Sequence, residues 1–121
     1  NHCQIYNQKE INEWINNNNL ATYYPEKLSI EKQIFLFSNA STIIGAHGAA
    51  FTNIIFCKPG TKIIEIIPAN HPNRKCERIC KILKLNYFRI TTRPDNSNKN
   101  FPYRIHLETN HLKKIKKLIN L

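Results

Sequence analysis

Apolar residues along this chain fall into two patterns, recurrence every three or four positions and short continuous runs. Gln4 to Tyr6 predicts the end of a first strand. Asn7 stands three residues before Glu10, a capping-box-like start, and Ile11, Trp14 and Ile15 follow at helical spacing as far as the Asn16–Asn19 run. Leu20 to Tyr24 predicts a second strand, stopped by Pro25. Ser29 suits the N-cap of a second helix, with Ile30, Ile34, Phe35 and either Phe37 or Leu36 on its inner face. Thr42 to Ala46 reads as a short apolar strand. Ala49 to Phe56 reads as a short helix with Phe51, Ile54 and Ile55 on one side. Lys58-Pro59-Gly60-Thr61 is a turn signal, and Lys62 to Ile67 is a strand apolar on both faces except at Glu65. Asn73 to Leu85 predicts a helix, Tyr87 to Thr91 a fifth strand, 93–103 a long polar loop, and Glu108 to Asn120 a last helix.

Strands and helices in alternation predict an α/β fold: a parallel sheet of about five strands with helices on both faces. Ile43–Ile44 and Ile63–Ile67 are apolar enough for central strands. With 121 residues, 41% of them apolar, the chain suits one domain with a real core. No stretch approaches the roughly 20 apolar residues that span a bilayer. The chain begins at Asn1 and contains no methionine, so residues 1–121 are expected to be a piece of a longer product with a further domain.

Charge changes this picture little. A formal net charge of +10 favours anionic partners, yet a chain crowded with Asn, Ile and Lys acquires such charge from AT-rich coding alone. The Lys113, Lys114, Lys116 and Lys117 cluster suits the solvated face of the last helix, with Leu112, Ile115, Leu118 and Ile119 inward. Of four cysteines, Cys76 and Cys80 are one helical turn apart, and no second ligand pair at zinc spacing follows. Free, buried thiols and a lean toward a reducing compartment are the expectation.

The candidate chemistry lies where the third predicted strand meets its short helix. Ligands of open α/β sheets bind at the carboxyl ends of strands. Gly45 and Gly48 let a backbone bend and a ligand come close, and a helix N-terminus offers unpaired N–H groups and partial positive charge. Gly45 to Ala50 therefore suits a phosphate, with His47 as an added donor. A glycine needed for packing and a histidine that only caps a helix fit the same residues. The spacing is neither a dinucleotide fingerprint nor a P-loop. Glu65, inside an isoleucine run, must be paired or reach a cleft. It suits ribose hydroxyls, a pair with His47, or a buried structural pair. Asn53 is a poor helix former, suited either to a pocket or to helix-to-sheet hydrogen bonding.

At these residues the sequence resembles family 61 of the glycosyltransferases. The family's signature is similar to a G-x-H-G-A-x-x-x-N run, then P-G, then a strand ending in E-x-x-P. Here those are Gly45, His47, Gly48, Ala49 and Asn53, then Pro59-Gly60, then Glu65 and Pro68. "LSIEKQIFLFSNAS" and "IYNQKEI" upstream resemble further family segments, except that Gln8 stands where Glu is usual and an expected arginine is not seen. The likeness covers most of residues 4 to 91. It implies a GT-B architecture of two Rossmann-like domains, this chain being the C-terminal, nucleotide-sugar-binding one and inactive without the N-terminal one. It implies an inverting transferase of glycan or polysaccharide biosynthesis that uses a UDP-sugar donor and a glycan or protein hydroxyl as acceptor. His47 would be the catalytic residue; Gly45, His47, Gly48, Ala49, Asn53 and Glu65 would bind the donor. No covalently bound cofactor is implied, no D-x-D motif marks a metal ligand set, and Asp95, the single aspartate, is a weak candidate for the general base. A bacterial or viral cytoplasm is favoured over a secretory lumen, with any membrane association made through the rest of the protein.

Two other classes compete. One is a non-catalytic Rossmann-like module whose basic surface binds nucleic acid, the less favoured partner, with Tyr87-Phe88-Arg89 as its one hint of aromatic and basic interleaving. The other is a degenerate transferase kept as a scaffold, for which Gln8 and the missing arginine leave room.

Overall fold

The computed structural model describes residues 4–5, 7–95 and 103–121. Its elements run β1 (Gln4–Ile5), α1 (Gln8–Asn17), a 3-10 turn (Pro25–Lys27), α2 (Ile30–Asn39), β2 (Thr42–Ala46), a 3-10 segment (Ala49–Phe56), β3 (Lys62–Pro68), α3 (Lys75–Leu83), β4 (Asn86–Thr92), β5 (Arg104–Ile105) and α4 (Thr109–Ile119). The α/β expectation holds, with a change in the sheet. Three parallel strands pair in the order β2-β3-β4, and β1 pairs in parallel with β5 as a separate two-stranded unit. Among the described residues one continuous five-stranded sheet is not formed.

β3 is central because both its faces are apolar. Ile63 joins Phe37, Phe51, Ile54, Cys57, Cys76, Cys80 and Leu85 on one side. Ile64 and Ile66 join Ile11, Ile90, Ile105, Leu107 and Ile115 on the other. Thus α2, the 3-10 segment and α3 cover one face, and α1 and α4 cover the other. The inward stripe of α4 is the one expected: Ile115 is buried, Leu112, Leu118 and Ile119 pack beside it, and its four lysines are exposed. Lys62 at the start of β3 donates to the Leu118 carbonyl at 2.5 Å and the Ile119 carbonyl at 3.3 Å, holding a cation at the carbonyl end of α4.

Several expectations fail for identifiable reasons. Leu20–Tyr24 is not a strand. Asn19 turns left-handed (φ 56°), Tyr23 and Tyr24 lie on the surface, and Pro25 opens the 3-10 turn. On α2 only Phe37 is fully buried; Phe35 lies on the opposite side of the helix and is exposed, as is Ile30 at its first position. The Ala49–Phe56 segment winds at three residues per turn, so Phe51, Ile54 and Cys57 share the buried side while Ile55 is exposed. Helix α3 starts two residues late because Asn73 turns its Oδ1 onto the Lys75 N–H at 2.7 Å. It ends early at Lys84, which is left-handed (φ 59°). Asn7 makes no side-chain cap hydrogen bond. Its amide instead pairs with the backbone of Leu107, donating to the carbonyl at 2.8 Å and accepting from the N–H at 3.1 Å. Part of the predicted polar loop, 96–102, lies outside the described residues, as do Tyr6 and Cys3.

Candidate functional site

Parallel register brings the site together. Gly45 stands opposite Glu65, Glu65 opposite Arg89, and Ile63 opposite Tyr87. Alternation along a strand then puts Glu65, Tyr87 and Arg89 on one face. The His47 N–H donates to the Ile66 carbonyl at 2.8 Å, carrying the β2 ladder one residue past Ala46 and fixing the ring beside Glu65.

Glu65 is 1% exposed, and its carboxylate is fully engaged. Oε2 lies 2.6 Å from His47 Nδ1, and Oε1 accepts from the Tyr87 hydroxyl at 2.5 Å. Arg89 stands 3.7 Å from Oε1 and also reaches the Asn73 carbonyl at 3.5 Å. An ionised carboxylate only accepts, so His47 Nδ1 carries the proton, leaving Nε2 on the far side of the ring. Burial, and then the hydrogen bond to Glu65, push the Tyr87 hydroxyl well above its ordinary range, so it stays a donor. The sequence left Glu65 open between ribose contact, a His47 pair and a structural pair. The structure builds the His47 pair and embeds it in a buried polar cluster with Tyr87 and Arg89.

Around the turn the two glycines differ. A Cβ on Gly45 would lie 2.3 Å from Phe51 Cε2, so the space there is filled by that ring. Gly48 is extended (φ 169°, ψ 178°), and a Cβ there would meet nothing closer than the Ala46 carbonyl oxygen at 4.0 Å. Gly48 therefore presents an open backbone at the start of the 3-10 segment, whose first N–H groups lack partners within the helix. The side chain of Ala49 lies outside the described residues. Asn53 donates to Gln33 Oε1 at 2.7 Å, tying the segment to α2 rather than to the sheet. Asp95 sits 3.9 Å from Arg104.

Two residues that sequence patterning did not single out complete the cluster. The His71 ring packs 4.6 Å from that of His47 and 4.3 Å from that of Tyr103, centroid to centroid. The nucleic-acid hint dissolves, because Tyr87 and Arg89 turn inward to Glu65 and Phe88 packs on the opposite face. Only register could have revealed this: residues at matching positions of adjacent parallel strands share a face. Among the described residues, no three His, Cys, Asp or Glu side chains converge to hold a metal ion. None of the described helices is long and apolar enough to cross a membrane.

Comparison with known proteins places this geometry. The family model described as Glycosyltransferase 61 matches residues 1–64, a span that includes His47 and stops one residue before Glu65. A beta-1,2-xylosyltransferase of Arabidopsis thaliana is 38% identical over 69 residues, which is 57% of this chain and 13% of that protein. Beta-1,2-xylosyltransferase RCN11 of Oryza sativa subsp. japonica is 40% identical over 40 residues, 33% of this chain and 8% of that one. The chain thus aligns with about an eighth or less of the length of these relatives. No solved structure matches it. Both relatives are plant xylosyltransferases, which overturns the preference for a bacterial or viral cytoplasm. The thiols that suggested a reducing compartment are no guide: Cys57, Cys76 and Cys80 are buried in apolar surroundings that raise their pKa and so suppress their ionisation.

Proposed function

We propose a donor-binding role in sugar transfer for this chain, which belongs to the glycosyltransferase 61 family. In this reading it is the C-terminal, Rossmann-like half of a GT-B enzyme. It holds a UDP-sugar with the diphosphate at the Gly48 turn and His47 beside it. The observation that carries the reading is the buried His47–Glu65 pair at the carboxyl end of β2, next to a glycine whose side is open. A carboxylate that accepts from Nδ1–H orients the ring and stabilises an imidazolium, whose Nε2–H can then donate to an oxygen of the leaving diphosphate. The acceptor hydroxyl attacks the anomeric carbon from the face opposite UDP. The sugar–phosphate bond breaks with its electron pair on the phosphate oxygen, and a base in the rest of the protein takes the hydroxyl proton. Inversion of an α-linked nucleotide sugar gives a β-linkage, the linkage in the relatives' names. The acceptor is a glycan or protein hydroxyl, presented by the N-terminal half.

The test is transfer by the full-length protein against a panel of nucleotide sugars, with UDP-xylose first. His47→Ala is expected to abolish transfer while the circular dichroism spectrum stays unchanged. Transfer that survives the substitution would make His47 structural and the reading wrong.

A further inference from the structure

His71 is 6% exposed and sits after β3, at the same end of the sheet as His47. Its Nδ1 accepts the Asn73 N–H at 3.2 Å. A neutral imidazole has one accepting and one donating nitrogen, so the proton is on Nε2. That Nε2–H is buried and has no hydrogen-bond partner among the described residues. Leaving such a donor unmade is unfavourable, and a fold holds one where something else completes it. We propose that His71 is a second donor of the site, its Nε2–H held beside the His47 ring to bind an anionic oxygen of the nucleotide's diphosphate.

Three further observations support this. The two rings come from the ends of adjacent parallel strands, β2 and β3, so one phosphate group can reach both. Tyr103 also packs against the His71 ring and limits its rotation. Burial, followed by the nearby positive charges of His47 and Arg89, lowers the affinity of His71 for a second proton, so it acts as a neutral donor through a fixed N–H. The inference rests on the UDP-sugar reading above and adds to it a residue beyond the family-like motif.

The experiment uses the full-length protein, with UDP and uridine as probes in calorimetric titrations. His71→Phe keeps a ring and removes the donor; His71→Gln restores an N–H near the Nε2 position. For His71→Phe, UDP affinity is expected to fall about tenfold or more, as suits a hydrogen bond to a charged acceptor, with uridine affinity unchanged. His71→Gln should recover most of the loss. Unchanged UDP affinity in His71→Phe overturns the inference, whether or not its melting temperature falls. If affinity and melting temperature fall together, His71→Gln decides: recovered affinity supports the inference and continued loss overturns it. Wild-type protein that binds no UDP overturns the donor reading itself, and this inference with it.

Discussion

Replacing Glu65 with glutamine tests the buried cluster with little change in shape. The carboxylate accepts from both His47 Nδ1 and the Tyr87 hydroxyl and neutralises Arg89 at 3.7 Å. Glutamine supplies one carbonyl, so one of the two donors loses its acceptor and faces an N–H group instead. Arg89, 14% exposed, loses its anion. Removing one partner of a buried ion pair costs roughly 3–5 kcal/mol, and the separation and residual exposure of Arg89 place this case near the lower end, about 3 kcal/mol. Native-state hydrogen exchange at the β3 amides reads this within the intact protein. Since 1.4 kcal/mol is tenfold, protection of Ile63 to Ile67 is expected to fall by roughly 100-fold. Tyr87→Phe, which removes one hydrogen bond and no charge, should cost about 1 kcal/mol, or roughly fivefold. If Glu65→Gln lowers protection less than about threefold, the carboxylate is not the hub described here.

The two turn glycines separate stability from binding. Gly45→Ala drives a Cβ into Phe51 and should cost about 1–3 kcal/mol in urea unfolding, partly relieved by Phe51→Leu. Gly48→Ala, with open space around its Cβ, should leave stability within about 0.5 kcal/mol yet weaken UDP binding. Cys57, pushed up to about 11, is about one part in a thousand thiolate at pH 8, so iodoacetamide with peptide mass mapping should label it only after unfolding. His71 has its pKa lowered in the folded state from 6.5, so between the two values the unfolded chain binds more protons and stability rises with pH. Melting temperature should therefore fall on going from pH 7 to pH 5, and His71→Phe should flatten that fall.

Much of the fold was legible because its core elements carry strong patterns. The isoleucine run of β3, the Lys58–Thr61 turn and the apolar stripe of α4 each have one economical reading. The Leu20–Tyr24 error has a physical source: two tyrosines in a row look like a strand, yet none of the described strands pairs with them and their rings stay on the surface. Ile55 was misplaced because spacing at 3.6 and at 3.0 residues per turn agrees at Ile54 and diverges one residue later. The short β5 was missed because two residues, Arg104 and Ile105, carry no period at all. At the site, His47 and Glu65 stood out as polar residues in apolar surroundings, and the structure joins them. Tyr87 and Arg89 stood out only as a nucleic-acid hint, and His71 did not stand out. Their roles come from strand register and from a turn, neither of which sequence periodicity records.

The measurement closest to the central claim is an amide NMR map of the isotope-labelled full-length protein titrated with UDP. The account predicts the largest shifts at His47, Gly48, Ala49 and Ala50, with a matching change at the His47 imidazole and little change on α4. Shifts concentrated on the lysine face of α4, or no shifts at a UDP concentration in the millimolar range, would contradict it.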